Sequence, residues 1–95
     1  MNRKYEVMII FDAKMTDEQV ETALDKYRKL ITKDSGVISD ELRWGVRTLA
    51  YPIAKKTEGN YQILQFETTV ASRDELHRLL GLDESVLRHK ILKTE

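Results

Sequence analysis

Lys4-Tyr5-Glu6-Val7-Met8-Ile9-Ile10-Phe11, with Thr16-Asp17-Glu18-Gln19 shortly after it, is the stretch that decides the fold. The octapeptide mixes β-branched and aromatic residues and is largely apolar on both faces. Tyr5, Val7, Ile9 and Phe11 fall on one side, Met8 and Ile10 on the other. A strand apolar on both faces sits centrally in its sheet. The tetrapeptide is a capping box, with threonine at the cap and glutamine three residues on. From it Val20, Ala23, Leu24, Tyr27, Leu30 and Ile31 recur at helical spacing as one apolar stripe. Acids Asp17, Glu18 and Glu21 open that helix. Lys26, Arg28, Lys29 and Lys33 close it, which complements the helix dipole. Asp34-Ser35-Gly36 is read as its end.

Working outward, Val37 to Leu49 read as a long second strand, with Gly45 marking a bulge. Pro52 cannot donate a ladder hydrogen bond, so this end of the strand belongs on a sheet edge. Lys55 to Asn60 read as a turn and Tyr61 to Thr69 as a third strand. Ser72-Arg73-Asp74-Glu75 looks like a second capping box. It opens a shorter helix carrying Leu76, Leu79 and Leu80 and stopped by Gly81. Val86 to Leu92 read as a fourth strand, with Leu87 and Ile91 on one face and Arg88 and Lys90 on the other.

The order β-α-β-β-α-β predicts an α+β, ferredoxin-like sandwich, with two helices on one face of a four-stranded antiparallel sheet. The first and last strands are expected as neighbours near the centre, which would bring Arg3 and Lys4 close to Arg88 and Lys90. With 95 residues the chain suits a single domain, residues 1–95.

Composition narrows the function. There is no cysteine, which excludes disulfides, thiolate metal sites and a cysteine nucleophile. The longest apolar run, residues 7–11, is far short of the roughly 20 residues of a membrane-spanning helix. It is also too short for a signal peptide, so the protein is read as cytosolic, with no membrane partner. His77 and His89 lie in different elements without a metal spacing, so neither a metal site nor a cofactor is expected. The adjacent carboxylates at 17–18 and 74–75 read as helix starts rather than as an acid–base pair. There is no glycine-rich phosphate loop and no catalytic constellation. The chain is therefore read as non-enzymatic, with no small-molecule substrate.

Net charge is zero, with 16 basic and 16 acidic residues. The distribution is uneven: no acid lies between Glu41 and Glu58, nor between Glu84 and Glu95. The first gap holds Trp44, Arg47, Tyr51 and Pro52. Its residues are either strand aromatics packed in a core or a contact edge, since aromatics and arginine are enriched at interface hot spots. The second gap holds Arg88, Lys90 and Lys93. With Arg3 and Lys4 they form either a solvated face that protects a sheet edge or a phosphate-binding patch.

Arg47-Thr48-Leu49-Ala50-Tyr51-Pro52-Ile53-Ala54-Lys55, then Gly59-Asn60-Tyr61, resembles the signature of the bacterial small-subunit ribosomal protein six family. Trp44-Gly45, the opening Arg3-Lys4-Tyr5-Glu6 and the closing Val86-Leu87-Arg88 also match. The resemblance implies the ferredoxin-like fold and a structural role in the small subunit. It implies pairing with small-subunit ribosomal protein eighteen and joint binding to the central domain of 16S ribosomal RNA during assembly. On that basis Arg3, Lys4, Arg88, Lys90 and Lys93 are candidate RNA contacts. Trp44, Arg47 and Tyr51 are candidates for the partner-facing edge, with Tyr51 equally readable as a core tyrosine. Two departures stand out. The long charged C-terminal tail of some relatives is missing from this sequence, and zero net charge implies weak RNA affinity without the partner's positive field. Two other roles share the fold: a small enzyme of the acylphosphatase type, and a ligand-sensing or protein-interaction domain. The first needs an arginine-bearing anion loop after the first strand, where this chain has Asp12-Ala13-Lys14-Met15.

Overall fold

The structure, a computed structural model, describes residues 2–33 and 35–94. Its elements are β1 Arg3–Asp12, α1 Asp17–Thr32, β2 Val37–Ile53, β3 Lys56–Thr68, α2 Val70–Leu82 and β4 Val86–Lys93. The strands pair antiparallel in the order β2-β3-β1-β4. This is the predicted βαββαβ sandwich. β4 does neighbour β1, but it is an edge strand rather than a central one, because β3 takes the other side of β1.

The alternation in β1 assigns the two faces. Tyr5, Val7, Ile9 and Phe11 point toward the helices and are buried with Leu64 and Phe66 of β3. α1 adds Val20, Leu24, Tyr27 and Ile31, and α2 adds Leu76 and Leu80. Each such side chain stabilises the fold by about 1.5–3 kcal/mol through apolar burial. The Thr16 capping box is formed in both directions. Thr16 Oγ1 accepts from the Gln19 amide at 3.1 Å, and Gln19 Oε1 accepts from the Thr16 amide at 2.9 Å. Past the C-terminus of α1, Ser35 has φ of 65°. Gly36 is needed for a different reason: a Cβ there would fall 1.7 Å from the Ile31 carbonyl oxygen. Asp34, read with them as the helix end, lies outside the described residues.

Several features differ from the sequence reading, and β2 runs on to Ile53 instead of ending at Leu49. Residues 55–60 are not a turn, since β3 begins at Lys56. The reversal is a two-residue turn, Ala54-Lys55, with φ of 49° and 65°. Two left-handed residues match the twist of a hairpin, and here they are not the glycine or asparagine that usually signals one. The second capping box is also displaced. Thr69 caps α2, accepting from the Ser72 amide at 3.1 Å, and Ser72 is buried in the first turn. Gly81 does not stop α2, which continues to Leu82. In β4 the register slips between Ile10 and Phe11, so Phe11 faces Val86 and Ile10 faces Arg88. Val86, rather than Leu87, joins Ile91 against the core.

Candidate nucleic-acid and partner interface

The sheet face away from the helices carries the even-numbered residues of β1. Cross-strand pairing places Met8 beside Ile63 and Lys90, and Ile10 beside Tyr61 and Arg88. Among the described residues no helix covers this face, yet Ile10 and Ile63 are buried there. Part of the cover is the end of the β2–β3 hairpin. Between the pairs Thr48–Glu58 and Ile53–Lys56, β2 has four residues, Leu49 to Pro52, where β3 has only Thr57. This wide bulge folds Leu49 inward. A Cβ on Gly59 would lie 2.3 Å from Ile10 Cγ2 and 3.3 Å from Leu49 Cδ2, so glycine lets these two side chains close over the strand.

The bulge also decides where the aromatics go. Tyr51 is 54% exposed, which removes the core alternative. It reaches the far edge of the sheet, where the Arg88 guanidinium carbon lies 5.4 Å from its ring centroid. Trp44 is 47% exposed. It sits at the Gly45 bulge, where φ is 76° and the register slips between Arg43 and Gly45. Its indole stacks on Tyr61 at 6.2 Å between centroids, and the Arg47 guanidinium carbon lies 4.9 Å from it. Exposed cation–aromatic contacts of this kind contribute about 0.5–1 kcal/mol each. They hold two arginine heads in place without neutralising them. β2 is an edge strand, as Pro52 predicted.

The basic candidates divide into two groups. Arg88 and Lys90 are exposed and share the open face. Arg3 and Lys4 do not join them, because antiparallel pairing sets β1 and β4 running in opposite directions. Tyr5 faces Lys93, and the Thr94 amide donates to the Lys4 carbonyl at 3.0 Å. Five residues of strand, roughly 17 Å, separate that end from Ile10 and its partner Arg88. Lys4 is on the open face but pairs with Glu67 at 3.9 Å. Arg3 and Lys93 alternate onto the helix side of the same end.

Where the acids went explains how a chain of zero net charge keeps a basic face. Arg28 is held by Glu41 and Glu21, with Nη contacts of 2.7 Å to each, and Arg43 lies 2.5 Å from Glu21. Lys26 meets Asp83, Lys29 meets Asp25 and Arg78 meets Glu75. Among the described residues, Arg47, Arg88 and Lys90 form no ion pair. The loop after β1 holds no anion cradle. Asp12 accepts from the Lys14 amide at 3.0 Å and lies 3.1 Å from Lys56 Nζ. Those two contacts hold its carboxyl below the usual range.

Sequence reasoning missed Leu49, Ile10 and Tyr61 as parts of this surface. Their signal is strand pairing, which no single stretch displays. It also missed the meeting of the two histidines on the helix side of β4, where His89 Nε2 lies 3.0 Å from His77 Nδ1. No helix of the described residues is long and apolar enough to cross a membrane.

Comparison with known proteins covers nearly the whole chain. The family described as Ribosomal protein S6 matches residues 4–93. A small ribosomal subunit protein bS6 from Cutibacterium acnes is 43% identical, over 98% of this chain and 97% of its own length. The Corynebacterium aurimucosum protein of the same name is 45% identical, over 98% and 97%. The crystal structure of 30S ribosomal protein S6 from Thermotoga maritima superposes with a TM-score of 0.89 at 26% identity, covering 99% of this chain and 89% of that one.

Proposed function

This chain belongs to the ribosomal protein S6 family, and from that premise we propose that it docks on the central domain of 16S ribosomal RNA together with ribosomal protein eighteen. The family is a structural, non-enzymatic component of the small ribosomal subunit. The open sheet face and the β2 edge form the docking surface.

The observation that carries the reading is the Tyr51–Arg88 contact. The candidate partner edge and the candidate RNA strand lie on opposite margins of the sheet, and the bulge joins them into one surface. Arg88 and Lys90 supply unneutralised charge for phosphates, whose contacts release counterions. Trp44, Arg47 and Tyr51 supply the aromatic and arginine anchors typical of protein hot spots. Two or three free cations give little affinity alone. Binding in company with a basic partner then follows as a coupling between the two sites. Lys4, already paired with Glu67, and Arg3 and Lys93, at the far end, are secondary contacts.

The test is binding to a central-domain RNA fragment across a salt series, with and without ribosomal protein eighteen. Binding is expected only with the partner, falling steeply with salt. Arg88→Ala is expected to weaken it and to reduce the salt slope by about one. Failure to bind either RNA or the partner at low salt would remove this surface from the proposed role.

A further inference from the structure

We propose that His77 of α2 and His89 of β4 form a two-histidine site for a borderline divalent cation of the zinc, nickel or copper class. Nδ1 of His77 and Nε2 of His89 face each other at 3.0 Å. A tetrahedral ion with bonds of about 2.0–2.1 Å holds two ligand nitrogens about 3.3 Å apart. The rings therefore need to open by only a few tenths of an ångström to admit one. Their centroids are 4.9 Å apart with planes at 63°, and at this separation one ring N–H donates to the other ring's nitrogen, a proton that moves to the donor ring's second nitrogen when a cation takes its place.

The spacing is imposed by packing rather than by two free side chains meeting by chance. Leu76, beside His77, is fully buried, and His89 pairs with the core residue Ile9. The rings open onto a cleft of about 370 Å³ lined by Arg73, Asp74, Lys90 and Ile91 as well. Its charges set the class of ion. Arg73 opposes a cation in the cleft, and Asp74, one helical turn before His77, lies 2.9 Å from Arg73 Nε. Calcium and magnesium require several oxygen ligands, and the cleft lining supplies a single carboxylate. Zinc, nickel and copper accept imidazole. Among the described residues no group of three or more histidine, aspartate or glutamate side chains has metal-binding geometry, so water fills the remaining positions. The proposal departs from the expectation of no metal site. The histidines are 12 residues apart across a helix, a turn and a strand, and only the fold brings them together.

The test uses the full, untagged chain titrated with zinc chloride and, separately, nickel chloride. Heat of binding and the nitrogen-15 signals of the histidine rings are the two readouts. One ion per chain is expected, with both rings shifting together, and magnesium is expected to produce neither effect. His77→Ala and His89→Ala should each abolish saturable uptake. Should either alanine variant unfold, His77→Gln and His89→Gln replace them, and the ring signals of the unmodified chain decide in any case. Absence of saturable uptake by about 1 mM zinc overturns the site. So does uptake that shifts neither ring or that survives in both single variants.

Discussion

Tyr27 shows how one side chain serves two parts of the fold. Its ring is fully buried beneath α1, and its hydroxyl donates to Asp83 Oδ2 at 2.5 Å, beyond the end of α2. Burial pushes the Tyr27 hydroxyl above its ordinary pKa, and the hydrogen bond to Asp83 adds to that. Burial alone would raise the Asp83 carboxyl too, but hydrogen bonds from Ser85 and Tyr27, with Lys26 nearby, hold it below its ordinary 3.8. Tyr27→Phe keeps the ring and removes one donor from this carboxylate. The expected loss is about 1–3 kcal/mol in chemical denaturation. At this scale the helical spacing marked Tyr27 as core, but only the fold brings Asp83 within reach of its hydroxyl.

Among the elements, α2 is the one the sequence describes least well. Ser72 reads as the cap and Thr69 as the end of the third strand, although each stands three residues before an N–H that it could accept from. The structure chooses Thr69, because that start places Leu76 and Leu80 over the sheet and buries Ser72. Thr69→Ala should therefore cost about 1 kcal/mol in thermal unfolding. Glu75→Gln should leave the helix start unchanged, because the Glu75 carboxylate accepts from Arg78 Nε at 2.6 Å rather than reaching back to a cap. Gly81 was read as a stop because glycine so often follows a helix. Here it lies within the last turn, and a Cβ added to it would meet nothing within 4 Å. Gly81→Ala is expected to stabilise the protein by about 0.5–1 kcal/mol, seen as a higher unfolding midpoint.

Across the whole molecule, ion pairing separates two populations of charge. Glu21 and Asp25 of α1, Glu41 of β2, and Asp74 and Glu75 of α2 are matched by cations, whereas Arg47, Arg88 and Lys90 remain unmatched on the open surface. The matched carboxylates govern the acid limit of stability. Hydrogen bonds from Arg28 and Arg43 hold Glu21 below its ordinary 4.5, and Asp12 and Asp83 lie below 3.8. In that range the unfolded chain binds more protons than the folded one, so stability falls as pH falls. Circular dichroism at graded pH should show a plateau above these ordinary values and a decline beneath them, and Asp83→Asn should flatten part of that decline. Periodicity and capping made the element order legible, and the acid-free stretches marked both candidate clusters. The joining of those clusters was not legible. It depends on a bulge whose size is set by pairing with β3, and on β4 lying at an edge rather than near the centre.

That bulge has a consequence in time as well as in space. Leu49 to Pro52 face a single residue of β3, so most of their backbone amides lack a ladder partner, whereas Ile63 and Leu64 sit in continuous register with β1. Hydrogen–deuterium exchange should therefore be fast at Ala50 and Tyr51 and slow at Ile63 and Leu64 within the same hairpin. A ligand seated on the bulge would slow exchange at those two amides and leave the sheet beneath unchanged. The surface thus couples a compliant tip to a rigid backing. Its engagement can be followed residue by residue without altering a single side chain.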